Sequence, residues 1–143
     1  MEQQDYESWD RLVAELQSEI EEKEKALYSA RMLEQVRNPQ NLGRMESPDA
    51  QAVLTGWCGD TMEFYLRLDV ERIQTATFLT DGCGPSVACG NMLANMVRGL
   101  ALDEANRITP EDLLNALDGL PEDSTHCAAL AVSTLHKAIA QRR

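Results

Sequence analysis

Residues 60–80 read DTMEFYLRLDVERIQTATFLT, and the run Asp81-Gly82-Cys83-Gly84-Pro85 follows without a break. Met62, Phe64, Leu66 and Leu68 alternate with Thr61, Glu63, Tyr65 and Arg67, the period-two pattern of a strand with one buried and one wet face. A turn at Asp69 to Arg72 leads into Ile73 to Thr80, whose Thr, Ile and Phe content suits a second strand. Gln51 to Trp57 supplies a shorter third one upstream, so a small antiparallel meander is expected. Beyond Asp81 the pattern turns helical. Pro85 suits a first helical position, with Cys89, Met92, Leu93, Met96 and Leu100 as the apolar stripe of a helix that loosens around Gly99. Thr109-Pro110-Glu111-Asp112 reads as the capped start of a short helix that reaches Leu117 and ends at Gly119. A last helix is expected from near Ser124, burying Ala128, Val132, Leu135 and Ile139. Strands followed by helices define an α+β domain: a small three-stranded antiparallel sheet with helices packed on one face.

On the N-terminal side of the sheet, residues 38–49 are rich in turn formers and separate the domain from a helical arm. Leu12, Leu16, Ile20 and Leu27 recur at near-helical spacing, and no Gly or Pro precedes Pro39, so residues 8–36 read as one or two helices. The first 25 residues carry nine acids and only three bases. The expected division is an acidic helical extension over 1–27 and the main domain over 28–143. The extension reads as a solvated helix with a narrow docking stripe, or as a partner-binding or dimerising arm.

A length of 143 residues with 43% hydrophobic content fits one modest core. No run approaches the eighteen apolar residues of a membrane span, and the polar, acidic start is unlike a signal peptide. The expected location is therefore cytoplasmic, with no membrane partner, and the four cysteines are expected to persist there as thiols. A net charge of −11 opposes nucleic-acid binding and favours basic protein partners.

Three cysteines fall at element ends. Cys58-Gly59-Asp60 lies between two strands, Gly82-Cys83-Gly84-Pro85 joins a strand to a helix, and His126-Cys127 lies in the first turn of the last helix. Such ends can meet at one rim of the sheet, bringing Cys58, Asp60, Cys83, His126 and Cys127 together. Helix N-termini favour thiolates, so lowered thiol pKa values are expected at Cys83 and Cys127. Gly59, Gly82 and Gly84 leave room for a cluster or a partner's loop near the backbone. Taken singly, each cysteine is more often a small buried hydrophobe, and no Cys-x-x-Cys pair marks an ordinary zinc module. Cys89 lies on an apolar stripe and is read as core, while His136 is read as a surface residue.

The ordered set Asn38-Pro39-x-Asn41-x-Gly43, Cys58-Gly59-Asp60-x-Met62, Gly82-Cys83-Gly84 and His126-Cys127 resembles the IscU and NifU N-terminal family of iron-sulfur cluster assembly scaffolds, from about Tyr28 onward. The resemblance implies that Cys58, Cys83 and Cys127 hold the cluster and that Asp60 and His126 match the family's aspartate and histidine. It further implies that a cysteine desulfurase delivers sulfur as persulfide, that a transient [2Fe-2S] cluster forms from this sulfur and iron, and that the cluster passes to apo iron-sulfur proteins. Such a protein is not an enzyme in its own right. Cys127, beside the polar loop 122–125, is expected to be the most accessible thiol and the sulfur acceptor. Many members read Leu-Pro-Pro-Val-Lys before the His-Cys pair. This chain reads Leu120-Pro121-Glu122-Asp123-Ser124, which argues against recognition by the dedicated DnaK-type chaperone. Residues 1–27 extend beyond the usual family start, and the chain reads as a stand-alone scaffold. Monomer or homodimer stays open, as does the choice of Asp60 or His126 as fourth ligand. The chief rival is a zinc-binding structural or interaction domain using the same donors, and zinc in the apo scaffold would not separate the two. A sulfurtransferase or metal-dependent hydrolase ranks lower for want of a pocket motif.

Overall fold

The computed structural model describes residues 2–142, without the side chains of 2–7, 21 and 23–27. Helix α1 (Glu2–Leu27) is followed by α2 (Ala30–Arg37), then strands β1 (Ala50–Thr55), β2 (Thr61–Asp69) and β3 (Arg72–Thr80). Helices α3 (Gly84–Val97), α4 (Leu102–Ala105), α5 (Pro110–Ala116) and α6 (His126–Ala140) complete the order, with a 3-10 turn over Glu122–Ser124. The strands form one antiparallel meander, β1-β2-β3. This is the α+β architecture expected from the alternation of residues 60–80.

Register explains the core. Ala52 faces Phe64, which faces Phe78, and Ala50 faces Leu66, which faces Ala76, so apolar residues line up across one sheet face. A bulge between Arg67 and Leu68 shifts the pairing, so that Leu68 meets Ile73, and Ile73 is also buried. α3 covers β3, and α6 lies across β1 and β2 on that same core. The opposite face is not wholly wet. Tyr65 is buried there, donating its hydroxyl to Glu63, while Arg44 pairs with Glu63 at 3.6 Å. The stretch containing Arg44 is held by a backbone bridge of Leu42 to Phe78 beside β3 and by the buried Asn41, whose side chain donates to Asn91 and Asn95. The Asn-Pro-x-Asn-x-Gly run thus closes an otherwise open sheet edge.

α3 buries a face rotated from the expected stripe. Cys89 and Leu93 are buried, but Met92 and Met96 are only half-buried, Leu100 lies beyond the helix, and Ser86, Gly90, Ala94 and Val97 are buried instead, with Gly90 against Phe78 of β3. The small residues let the helix axis approach β3 closely. α4 was not anticipated, being four residues long and too short to show a period. Thr109 caps α5 by accepting from the Asp112 amide, and Gly119 follows it at φ +91°, both as expected. His136 is half-buried rather than at the surface, and its Nε2 is buried without a hydrogen-bond partner among the described residues.

α1 and α2 part at Tyr28 and Ser29, where the Ser29 hydroxyl caps α2 by accepting from the Met32 amide at 3.0 Å. Among the described residues, α1 has no extended packing against any other element. Its Leu12, Leu16 and Ile20 are exposed, and Leu27's side chain lies outside the described residues.

Cys89 is fully buried, as expected of a core residue, and burial pushes its thiol far above the ordinary value of 9.0. Its folded form therefore keeps its proton where the unfolded thiol has lost it. The apo protein should lose stability as pH rises above about 9, by up to about 1.4 kcal/mol per pH unit from this thiol. Chemical unfolding between pH 8 and 10.5 checks this, with Cys89→Ala expected to show the shallower fall.

Candidate metal centre

Each donor is placed by a local device. Between β1 and β2 the Gly59 amide donates to the Gly56 carbonyl at 3.0 Å and the Gly56 amide to the Asp60 carbonyl at 2.8 Å. This turn needs φ +95° at Gly59, which glycine adopts without strain, and it leaves Cys58 exposed at the tip. Asp60 sits half-buried at the start of β2. Across the sheet, the Thr61 amide donates to Asp81 at 2.7 Å, and the Gly82 amide donates to the Thr80 hydroxyl at 3.0 Å. The first of these bonds ties the two strand ends together at the rim, and the second shapes the turn out of β3. Cys83 is the N-cap of α3 in extended conformation with its thiol exposed, and its carbonyl accepts from the Val87 amide. His126 and Cys127 open α6.

The five anticipated side chains meet. The donor atoms of Cys58, Asp60 and His126 lie within 4.8 Å of one another, and so do those of Asp60, Cys83 and Cys127. Asp60 belongs to both groups. His126 Nε2 is 3.7 Å from Cys127 Sγ, which links the groups a second time. The His126 ring rests against Trp57 with centroids 5.3 Å apart, and the two border an open groove of about 250 Å³ that runs between Leu54 and Leu130.

Two expectations about Cys127 are corrected. It is 1% exposed and so the least accessible thiol of the three, because it lies on the inward side of α6 against the buried Ser86, while Cys58 and Cys83 are exposed. Nor is its thiol lowered: burial pushes it up, the neighbouring Cys83, Asp60 and Cys58 add to the rise, and only the Ser86 hydroxyl opposes it. A helix N-terminus loses this contest when the sulfur is withdrawn from water.

Ser86 is the residue that motif reading passed over. It is fully buried, with its hydroxyl 3.4 Å from Cys127 Sγ and 3.5 Å from Asp60 Oδ2, so its one hydrogen can go to either acceptor. A Cβ on Gly82 would lie 2.5 Å from that hydroxyl and 3.1 Å from the Asp60 carboxylate. Gly82 is therefore glycine to let Asp60 and Ser86 close over it. The available signal was a polar side chain in the first turn of α3.

Fold and site together define a class: a small α+β domain that gathers three thiols, a carboxylate and an imidazole at one rim of a three-stranded sheet. Residues 27–143 match the family described as the NifU-like N terminal domain, and the chain belongs to that family. It is 34% identical over 114 residues to a protein of Archaeoglobus fulgidus named iron-sulfur cluster assembly scaffold protein IscU 1, covering 79% of this chain and 74% of that one. It is 35% identical over 115 residues to the IscU scaffold protein of Aquifex aeolicus, covering 78% and 73%. The crystal structure of the N-terminal part of a NifU-like protein from Brucella abortus shares the fold, with a TM-score of 0.67 at 18% identity over 80% of this chain and 93% of that one. Among the described residues, no helix is long and apolar enough to cross a membrane.

Proposed function

We propose that this chain is a scaffold on which a [2Fe-2S] cluster is assembled and from which it is passed on. The observation that carries the reading is the pair of three-donor groups sharing Asp60. Two adjacent sets of soft and hard donors suit two iron ions better than one zinc, which takes four donors in a closed tetrahedron. Cys58, Cys83 and Cys127 supply thiolates, and Asp60 or His126 completes the set. Three thiolates with one oxygen or nitrogen donor hold a cluster less tightly than four thiolates do, as a protein that must surrender its product requires. Membership of a family whose relatives bear scaffold names supports the same reading and favours a role other than an enzyme's.

The partners that fit are a cysteine desulfurase, which supplies persulfide, and apo iron-sulfur proteins, which accept the cluster. Both exposed thiols, Cys58 and Cys83, are open to an incoming partner. Cys127 keeps its proposed part as sulfur acceptor, now by relay: sulfur enters on Cys83 and passes to Cys127, whose donor atom lies within 4.8 Å. Each sulfane sulfur takes two electrons to become sulfide. Two ferrous ions, on becoming ferric, supply half of the electrons for two sulfides, and a thiol or ferredoxin-class reductant supplies the rest. The segment Pro121 to Ser124 carries two acids and folds as a 3-10 turn, a poor fit to a chaperone that selects an apolar and basic peptide. Cytoplasmic placement follows from this chemistry, which needs reduced thiols.

Anaerobic incubation with ferrous iron, cysteine, a desulfurase and a thiol reductant should develop the visible absorption of a binuclear cluster and then convert an apo-ferredoxin to its holo form. Mass spectrometry without iron should find the added sulfur on Cys83 and Cys127, and on neither in Cys83→Ser. Stable colour without transfer would make the chain a carrier. Zinc binding with no chromophore would leave the structural zinc domain as the answer. Sulfur on Cys89 would contradict its place in the core.

A further inference from the structure

α1 displays a stripe of large apolar side chains to solvent: Trp9 is 65% exposed, Leu12 and Val13 46%, Leu16 50% and Ile20 56%. Among the described residues, no extended packing from the rest of the chain covers it. A lone helix of this kind is marginal in water, and a contiguous apolar stripe rimmed by charge marks a surface that another body covers.

The register of the stripe restricts what that body is. Trp9 and Leu16 fall on one seam position of a heptad and Val13 and Ile20 on the other, with Leu12 widening the seam on one side. The flanking positions over this stretch are Asp10 and Gln17 on one side, Leu12 and Glu19 on the other. Glu15 and Glu22 lie further out on the Glu19 side, and Arg11 sits on the back of the helix, away from the seam. No flank position from 9 to 20 carries a base.

That pattern argues against a second copy. Whether two α1 helices run parallel or antiparallel, their flanks set acids against acids or neutral residues and never against bases. It also argues against this chain's own domain, which has fifteen acids and ten bases after residue 27, and against an anionic lipid surface. We propose that the Trp9 to Ile20 face of α1 docks an amphipathic helix of another protein, one whose apolar seam is flanked by lysine and arginine. The seam supplies the burial and the flanks choose the partner.

The experiment uses the full apo chain and two synthetic four-heptad peptides with isoleucine and leucine in the seam, one flanked by lysine throughout and one by glutamate. Calorimetry and sedimentation should show a one-to-one complex with the lysine peptide that weakens as salt rises, and none with the glutamate peptide. Leu16→Glu with Ile20→Glu should weaken the complex at least tenfold. Ala14→Glu with Ser18→Glu, which adds the same charge on the back of the helix, should leave it within twofold. Thermal unfolding should be the same for all variants, since α1 stands clear of the core. Equal binding of both peptides, or no binding of the lysine peptide, would overturn the proposal. So would a dimer of the chain alone that Leu16→Glu with Ile20→Glu dissolves, or binding to neutral phosphatidylcholine vesicles in place of the peptide. None of these readouts depends on metal, so the scaffold reading stands or falls separately.

Discussion

Replacing Gly90 with alanine is expected to destabilise the protein by about 3 kcal/mol, a large share of the roughly 5–15 kcal/mol that holds a domain of this size together. A Cβ at that position would sit 2.3 Å from Cδ2 of Phe78 and 2.6 Å from its Cε2. The ring cannot step aside, because Phe78 is fully buried and packs against Phe64 with centroids 6.3 Å apart. Nor can the backbone yield cheaply. α3 is tied through Asn91 to the Asn41 amide at 2.9 Å and through the Ser86 hydroxyl to Cys127 Sγ at 3.4 Å. The melting temperature of the apo protein should fall by about 10 °C. Gly84→Ala is the control: its Cβ would meet only Val36 methyls, at 3.8 and 3.9 Å, and the melting temperature should move by less than about 3 °C. Equal effects from the two substitutions would mean that α3 is not seated on β3 as closely as described.

Gly90 also shows where sequence reading stops. The alternation of residues 60–80 was enough to place the sheet, because a two-residue period admits one assignment of inner and outer faces. The turn at Cys58, the strand end at Gly82 and the helix starts at Cys83 and His126 then pointed to the donors that the structure gathers at one rim, since turn glycines and caps announce boundaries in the local residue types. The inner face of α3 could not be read the same way. Gly90 meets Phe78 of β3 there, with Ser86 and Ala94 buried along the same helix, and a hydrophobic stripe ranks such residues as surface or as breaks. The close approach that makes a glycine the best core residue is a property of the partner strand.

The same limit explains Cys127. Position in a helix's first turn indicated an electropositive setting and a reachable thiol, and both inferences are local. Burial is not local: Cys127 lies on the side of α6 that packs on β1, β2 and α3, and that withdrawal from water raises the thiol's pKa. Ser86 was passed over for a related reason. Its importance lies in facing two donors from different elements, Asp60 and Cys127, which sequence distance hides. The segment Asn38 to Gly43 makes the opposite point, for its motif was legible before its purpose. Only the structure shows Asn41 bonded to Asn91 and closing the edge of β3.

Asp60→Ala should lengthen the life of the assembled cluster by about tenfold, the equivalent of about 1.4 kcal/mol on the release barrier. Three features of the site point that way. Asp60 contributes to both donor groups, so losing it leaves Cys58 with His126 on one side and Cys83 with Cys127 on the other, a complete set without the carboxylate. Its negative charge raises the Cys127 thiol pKa, so its removal favours the thiolate, the form that would hold iron in the proposed role. An exchangeable oxygen donor on iron is also the natural point of entry for water or an acceptor's thiol, and its loss closes that entry. Cys58→Ala has none of these compensations and should fail to hold the cluster at all. The measurement is the half-life of the cluster absorption band under anaerobic conditions, with and without an apo-acceptor, for the unaltered protein and both variants. Faster loss in Asp60→Ala would make the carboxylate an indispensable ligand, with His126 unable to replace it. The site would then owe its lability to the buried, reluctant thiol of Cys127.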